Sequence, residues 1–409
     1  MANTHIDILL KRGVAMPLPE SVFVGEEVNP ERISGQGVVI HPGCRITGES
    51  TCILAGAIIG EEAPATVQDC QVGPNVRLKG GFFQGAVFLK GSSMGSGAHV
   101  RPGTIFEEEA NGAHTVGLKQ TILFPFVTLG SLINFCDCLM AGGTDRKNHS
   151  EVGSSYIHFN YTPQQDKATP SMIGDVCRGV MLNQRPIFLG GQGGLVGPCR
   201  IEYGNVIAAG TVWRKDVTKP GNLLMERAAP KSSMPFEPGV YRAVKRVARN
   251  NLAYIADLLA LRMWYGQVRS RFFHGGLEQA LYEGLLKTCD QAIDERIKRF
   301  AAFCGKLPES GRILEELAQS PPPESLLEQK RQLAERSDDI CACLEQWRSR
   351  TKDYNAGDAF LKMTGTSGTS YLECIKGLGP EQAALGTAWL SGFTENILEE
   401  TLAIVPSCR

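Results

Sequence analysis

Large apolar residues recur at every sixth position in the first half of the chain. The longest run is Leu189, Leu195, Ile201, Ile207 and Trp213, and glycine, alanine and other small residues crowd the positions between. A six-residue period matches neither a helix nor a two-residue strand alternation, and it is typical of a parallel β-helix. The pattern therefore predicts stacked turns in which each hexapeptide forms one side of a prism and buries one apolar side chain.

The same period returns upstream in shorter runs. They are Ile40, Ile46, Cys52 and Ile58; Val72 and Leu78; and Met94 and Val100. Interleaved glycines, such as Gly43 and Gly103, allow corner conformations that a β-carbon resists. We predict a lead-in over residues 1–30 and a β-helix over 31–235, with a polar insertion loop at 141–170.

After residue 235 the apolar spacing becomes helical. From Val240 to Phe273, apolar residues recur with a period near 3.6 and basic residues lie between them, which predicts a long amphipathic helix. Further helices are predicted at about 277–304, 309–319, 324–349 and 380–403. We expect an α-helical domain over 236–409 that either caps the open end of the β-helix or serves a partner or oligomer contact.

Composition narrows the class of protein. The 409 residues suffice for two or three domains, and a net charge of −1 gives no nucleic-acid footprint. No signal segment or membrane-spanning apolar run is visible, and the thirteen cysteines are scattered, so we expect a reduced, cytoplasmic protein with no membrane partner. The Cys136-x-Cys138 and Cys341-x-Cys343 pairs are too closely spaced for a C-x-x-C motif, and no metal is predicted.

Polar residues that interrupt the repeat are the candidates for chemistry, because a prism of this kind has no interior cavity. Arg101 and Lys119 are eighteen positions apart, which is one turn of three hexapeptides. Two cations stacked on one edge can clamp a phosphate, although solvated surface charge gives the same spacing. In the polar insertion, His149 is a candidate general base, with a merely exposed histidine as the alternative.

The same insertion carries further polar candidates. Lys167 could meet a phosphate, and Asn160 and Tyr161 could hydrogen-bond a sugar or an amide. The glycines of segment 190–194 lack the spacing of a nucleotide-binding loop. Small residues at Gly191, Ala208 and Ala209 instead predict a groove suited to a long thin ligand such as pantetheine.

Together these segments resemble a known family. The runs 189–217, 152–175 and 101–119 resemble the last coils, the acetyl-CoA and sugar-phosphate loop, and the phosphate clamp of the acetyltransferase half of bifunctional N-acetylglucosamine-1-phosphate uridylyltransferase/glucosamine-1-phosphate acetyltransferase. That half belongs to the hexapeptide-repeat acyltransferase superfamily and is a left-handed parallel β-helix. The similarity covers roughly residues 90–217, and nothing at the N-terminus resembles the nucleotide loop of the uridylyltransferase domain.

The resemblance implies roles for these residues. Arg101, Lys119 and Lys167 would hold the sugar phosphate, and Asn160 and Tyr161 would contact substrate and acetyl-CoA. The site would lie between the subunits of a homotrimer, with Ala209 in the CoA groove and Gly191 where the family has a serine. The catalytic histidine of the family corresponds either to His149, in an Asn-His pair, or to Phe135, which cannot accept a proton.

Two functions follow from this pattern. The first is a CoA-dependent N-acyltransferase that uses acetyl-CoA and acts on an amino sugar or sugar phosphate, with His149 as its base. The second is a non-catalytic sugar-phosphate or sugar-nucleotide binding protein, or a scaffold, that kept the β-helix and lost the base.

Overall fold

A computed structural model describes residues 4–226, 233, 236–318, 320–364 and 369–409. Its first half is a parallel β-solenoid, and a helical region follows, so the predicted fold class is confirmed. Each turn of the solenoid contributes strands to three faces, and every face is a stack of parallel strands from successive turns.

The three faces are defined by their strands. The first face contains Phe23–Val24, Arg45–Thr47, Ala65–Gln68, Gly81–Gln84, Ala98–Val100, the start of Gly117–Leu123, the start of Asn134–Met140, Tyr156–Phe159, Gly193–Val196 and Val212–Trp213. The second contains Cys52–Ile53, Gln71–Val72, Ala86–Phe88, Thr104–Phe106, the ends of the same two long strands, Ser171–Ile173 and Arg200–Ile201. The third contains Val39–Ile40, Ile58–Ile59, Arg77–Leu78, Ser93–Met94, Asn111–Gly112, Thr128–Leu129, Glu151–Val152, Phe188–Leu189, Val206–Ile207 and Leu223–Leu224.

The hexapeptide residues form the core of the solenoid. Leu189, Leu195 and Ile207 have no exposed surface, and Trp213 is half-buried in the last turn of its face. In the second predicted run Ile40 and Ile46 are buried as predicted, but the register differs by one residue at the end of the run. Ile58 is half-buried and points outward, whereas Ile59 is fully buried, because the strand places adjacent side chains on opposite sides.

Three corners join the faces. Corner A passes from the first face to the second, corner B from the second to the third, and corner C from the third to the first. The predicted polar insertion at 141–170 is divided between two of them, because strands Glu151–Val152 and Tyr156–Phe159 interrupt it. Its first part is a hairpin at corner B that pairs Gly143–Asp145 with Asn148–His149, and its second part is a loop at corner A.

Ten α-helices lie within the described residues. They are α1 (Thr4–Arg12), α2 (Val176–Gly179), α3 (Val244–Gln267), α4 (Gly276–Cys304), α5 (Leu307–Leu317), α6 (Glu324–Glu335), α7 (Ser337–Arg350), α8 (Asp358–Met363), α9 (Tyr371–Lys376) and α10 (Pro380–Ile404). The helix predicted at 324–349 is two helices, which break at Arg336. None of the helices in these described ranges has the length and apolar character needed to cross a bilayer.

The helical region lies along one side of the solenoid. Helix α4 packs across strands Cys52–Ile53, Gln71–Val72, Ala86–Phe88 and Thr104–Phe106, and α3 packs on Ser171–Ile173. These strands all belong to the second face. Helices α3 and α4 therefore pack on the outer side of one face of the solenoid.

Candidate functional site

The two predicted phosphate-binding cations lie side by side at corner A. Val100 is in register with Leu118, and the Arg101 amide donates to the Leu118 carbonyl at 2.9 Å. One turn further on, Lys119 is in register with Cys136. The Arg101 guanidinium lies 3.8 Å from the Cys136 sulfur. The structure therefore brings Arg101 and Lys119 together on adjacent turns, where Arg101 is exposed and Lys119 is half-buried.

The buried thiol of Cys136 lies beside these cations, on the turn after that of Lys119. Burial raises the pKa of the Cys136 thiol, and the positive charges of Arg101 and Lys119 act in the opposite direction. The neutral thiol thus leaves both cationic charges uncompensated. No salt bridge to Arg101 or Lys119 is formed among the residues that the structure describes. An anion is the natural partner for such a pair.

The loop that carries three other predicted residues begins at the same corner, three turns above Arg101 and two turns above Lys119. The Asn160 side-chain amide donates to the Asp137 carboxylate at 2.6 Å, and the Asn160 backbone carbonyl accepts from the Thr169 hydroxyl at 2.7 Å. Tyr161 is 57% exposed, and Lys167 is half-buried. Asn160, Tyr161 and Lys167 therefore share corner A with the cation pair.

The helical region holds this loop in place. Arg296 of α4 is 1% exposed and binds the Asp137 carboxylate at 2.8 Å, and it also donates to the Lys167 carbonyl at 3.2 Å. Two other contacts act on the neighbouring residues. The Asn251 amide donates to the Ala168 carbonyl at 3.0 Å, and the Tyr241 hydroxyl donates to the Asp166 carboxylate at 3.0 Å. These contacts could not be predicted from the sequence, because no local pattern links residues more than 70 positions apart.

His149 lies elsewhere. It belongs to the hairpin at corner B, where it is in register with Gly143. Its Nε2 is 3.8 Å from the Glu151 carboxylate, and its Nδ1 is buried with no hydrogen-bond partner among the described residues. Within one chain, the second face therefore separates His149 from the cation pair at corner A.

The alternative position for a catalytic histidine is sealed inside the solenoid. Phe135 has no exposed surface and packs edge-on against Tyr156 and His158. His158 is also buried, where its two ring nitrogens lie 2.5 Å from the Cys136 carbonyl and 2.8 Å from the Ser171 hydroxyl. Burial lowers the pKa of His158. Neither residue reaches a ligand on the outer surface.

The predicted groove residues lie at corner C of the last turns. Gly191 and Ala208 are half-exposed, and Ala209 is exposed. A β-carbon at Gly191 would come within 2.6 Å of the Ser154 carbonyl oxygen in the turn below. The glycine thus permits close stacking of turns, and the result is a strip of small residues along an exposed edge. Corners A and C border the same first face.

The two closely spaced cysteine pairs differ in exposure: Cys136 and Cys138 are buried, whereas Cys341 and Cys343 are half-buried. Burial raises the pKa of the Cys138 thiol well above its ordinary value. Burial is also the main reason why the pKa values of Cys341 and Cys343 are raised. No group of three or more histidine, cysteine, aspartate or glutamate side chains suited to a metal occurs within the described ranges.

A large cavity of about 1190 Å³ lies away from these residues, between corner B and the helical region. Its lining includes Phe126, Phe272 and Tyr371 together with both acidic and basic side chains. Two of these charges, Glu108 and Arg269, form a buried ion pair. The mixture of charges does not select for an anion.

Part of the chain is similar in sequence to known proteins. No protein-family model matches the chain. It is 28% identical over 220 residues to the bifunctional protein GlmU of Pelobacter propionicus, which covers 54% of this chain and 42% of that protein. The corresponding protein of Thermotoga sp. strain RQ2 is 28% identical over 227 residues, covering 54% of this chain and 44% of its own length. About half of the chain is therefore similar to GlmU.

GlmU of Nitratidesulfovibrio vulgaris extends this similarity, at 26% identity over 229 residues. This match covers 56% of the chain and 45% of that relative. The chain therefore spans less than half the length of the curated proteins that it matches. The similarity and the parallel solenoid together confirm the predicted resemblance to the hexapeptide-repeat acetyltransferase half of GlmU.

Proposed function

We propose that the chain is a CoA-dependent N-acyltransferase that transfers an acetyl group to an amino sugar phosphate. The similarity to GlmU supports a function related to sugar-phosphate acyl transfer or nucleotidyl transfer in general. One observation favours the phosphosugar in particular. Arg101 and Lys119 lie on adjacent turns without carboxylate partners among the described residues, and their spacing suits a single phosphate.

The loop at corner A would complete the sugar site. Lys167 would add a third cation, and Asn160 and Tyr161 would supply hydrogen bonds to hydroxyl or amide groups. Asn160 is already oriented by Asp137, which is itself held by Arg296. A polar group fixed in this way loses little further entropy when it binds a ligand.

Acetyl-CoA would be the acyl donor, and its thioester would supply the activated carbonyl carbon. The strip formed by Gly191, Ala208 and Ala209 fits an extended pantetheine arm, because it is exposed and carries no side chain larger than a methyl group. Since corners A and C border the first face, a donor on this strip and an acceptor on Arg101 and Lys119 would approach each other over one surface. Transfer would be direct, without a covalent enzyme intermediate.

A homotrimer is part of the proposal. The first and third faces carry apolar outward residues that the helices leave exposed, among them Ile157 at 41%, Phe188 at 39% and Val206 at 38%. Contacts between subunits through these faces would bury them. In such an assembly His149, at the edge of the third face, could serve the first face of a neighbouring subunit. The helices on the second face would point away from the threefold axis.

A non-catalytic phosphosugar-binding protein is the second candidate. The burial of Phe135 favours it, because one alignment with the family puts this residue at the position of the catalytic histidine. In this alternative the cation pair binds a sugar phosphate and no acyl group is transferred.

Release of free thiol from acetyl-CoA separates the two candidates. Full-length protein is mixed with acetyl-CoA and glucosamine 1-phosphate, and N-acetylglucosamine 1-phosphate serves as a matched ligand without a free amine. The proposal predicts thiol release with the amine only, and its loss in an Arg101→Gln variant. Binding of both sugar phosphates without thiol release would contradict the enzyme and support the binding protein.

A further inference from the structure

We propose that His99 is the general base of this reaction and that the amino group of the acceptor lies over Gly117. The inference rests on the proposed function and adds to it a residue that the sequence pattern did not single out. His99 is exposed on the outer side of the first face, and the cation pair begins two residues later along the same turn.

Strand register aligns three outward positions of this face. His99 is in register with Gly117 on the next turn, and Gly117 is in register with Asn134 on the turn after that. Neighbouring strands are about 4.8 Å apart, so His99 and Asn134 flank Gly117 from opposite sides. The three residues form one column across adjacent turns.

The cation pair forms the parallel column at corner A. Along a strand, residues two positions apart point to the same side and lie about 6.6 Å from each other. Arg101 follows His99 by two positions, just beyond strand Ala98–Val100, where its amide still donates to the Leu118 carbonyl, and Lys119 follows Gly117 by two. The backbones of the two columns are therefore about one sugar ring apart.

Gly117 leaves room for that ring. A β-carbon built at this position would have the Asn134 side-chain oxygen at 3.8 Å and the Ile133 carbonyl at 3.9 Å as its nearest neighbours. Most glycines of the solenoid would instead clash with an adjacent turn. The space above Gly117 is thus open, bounded by the imidazole of His99, the amide of Asn134 and the two cations.

The imidazole of His99 is oriented and unengaged. Its ring lies on that of Phe82, with centroids 5.2 Å apart and an interplanar angle of 34°. It makes no hydrogen bond or ion pair with another described residue. A ring held by an aromatic neighbour with both nitrogens available is suited to accept a proton, and imidazole changes charge nearest to neutral pH.

The chemical step balances with His99 as the only proton carrier. The neutral amine of the acceptor attacks the thioester carbon, so a carbon–nitrogen bond forms, and the imidazole of His99 takes a proton from nitrogen. The carbon–sulfur bond then breaks, and the departing CoA thiolate receives that proton. Amide and free CoA thiol are the products, and the imidazole returns to its starting state.

Steady-state kinetics of thiol release, with glucosamine 1-phosphate varied at saturating acetyl-CoA, test this assignment. We expect His99→Gln to lower kcat by about 100-fold or more, with KM for the sugar phosphate changed by less than about threefold. A pH profile should lose its imidazole-dependent limb in the same variant. His114→Gln is the matched control, because His114 is also exposed on the solenoid but lies at corner C.

A second variant tests the position of the amine without touching His99. Gly117→Leu places a side chain in the open space, and we expect it to abolish turnover while thermal stability stays within a few degrees of the wild type. Wild-type activity in either His99→Gln or Gly117→Leu would overturn the inference and leave the proposed function intact. Loss of activity in His149→Ala, with activity retained in His99→Gln, would also overturn the inference and leave the proposed function intact. If the wild type releases no thiol with any amino sugar phosphate, base and proposed function fall together.

Discussion

The first and second faces of the solenoid share one repeat and one core, yet their outer sides differ completely. On the second face the outward residues Val87, Ile105, Ile122 and Leu139 have no exposed surface, because α4 and its neighbours cover them. On the first face the outward column of His99, Gly117 and Asn134 remains open. The inward residue of each hexapeptide decides that a solenoid forms, and the outward residue decides whether a face is covered or available to a ligand.

The two faces differ in whether their charged side chains are paired. On the covered side, Arg269 lies between Glu107 and Glu108, and Arg296 is bound to Asp137. On the open side, the cation pair has no carboxylate partner among the described residues. Buried charges must be paired because desolvation is costly, whereas exposed unpaired charges are available for binding. The covered face therefore stabilises the molecule, and the open face is the surface suited to chemistry.

The sharpest test of this difference is Arg296→Met. It leaves the Asp137 carboxylate buried without its cation and removes an anchor of the loop at corner A, so we expect a loss of about 3–5 kcal/mol in the free energy of unfolding. The control is Arg299→Met on the same helix, where a half-exposed pair with Glu295 contributes less than about 1 kcal/mol. Urea unfolding followed by circular dichroism measures both, and equal losses would contradict the assignment.

A matched pair of isoleucines compares the faces directly. Ile105 on the second face is fully buried, whereas Ile157 on the first is 41% exposed. We expect Ile105→Ala to destabilise the protein by about 2–4 kcal/mol, because it removes packing against the helical region. Within a single subunit Ile157→Ala should cost less than about 1 kcal/mol, so both variants are compared at protein concentrations low enough to dissociate the proposed trimer. If the two variants unfold at the same urea concentration, the helices do not cover the second face in solution.

The covered face also predicts a pH dependence. Burial raises the pKa of Glu107 from its ordinary 4.5 to about 7, although the charge of Arg269 acts against this rise. Between pH 4.5 and 7 the folded protein therefore holds a proton that the unfolded chain has released, so stability falls as pH rises through this window. Over the full window the contribution is at most about 3 kcal/mol.

Glu107→Gln removes this titration and keeps the shape of the side chain. We expect its unfolding free energy to vary less between pH 5 and pH 8 than that of the wild type. Some dependence should persist, because burial also raises the pKa of Asp257 to about 7. Identical pH dependence in the two proteins, measured by urea unfolding at each pH, would exclude Glu107 as a source.

Much of the first face and of the core could be predicted from the repeat. Leu189, Leu195 and Ile207 are buried as expected, and the eighteen-residue spacing correctly brings Arg101 next to Lys119. The rest of the site could not be predicted from the repeat, because the sequence of segment 141–170 predicts one polar loop. Strand pairing divides it and carries His149 to corner B.

A signal for the covered face was nevertheless present in the sequence. Second-face strands such as Ala86–Phe88 and Cys138–Met140 are apolar or small at three successive positions, whereas the first-face strand Ala98–Val100 alternates. Continuous apolar strands are buried on both sides. The contacts that fix Asp137 and Lys167 depend on Arg296, more than 100 residues away in sequence, and only the packing of the helices reveals them.

Hydrogen–deuterium exchange of the full-length protein, with and without glucosamine 1-phosphate, tests the central claim that the open first face and corner A bind the ligand. We expect slower amide exchange with ligand in peptides covering residues 98–104, 117–120 and 156–170. This protection should disappear in Arg101→Gln. Peptides from the covered second face should exchange at the same rate with and without ligand. Protection confined to the cavity at corner B, in peptides from 269–281 and 369–377, would contradict it.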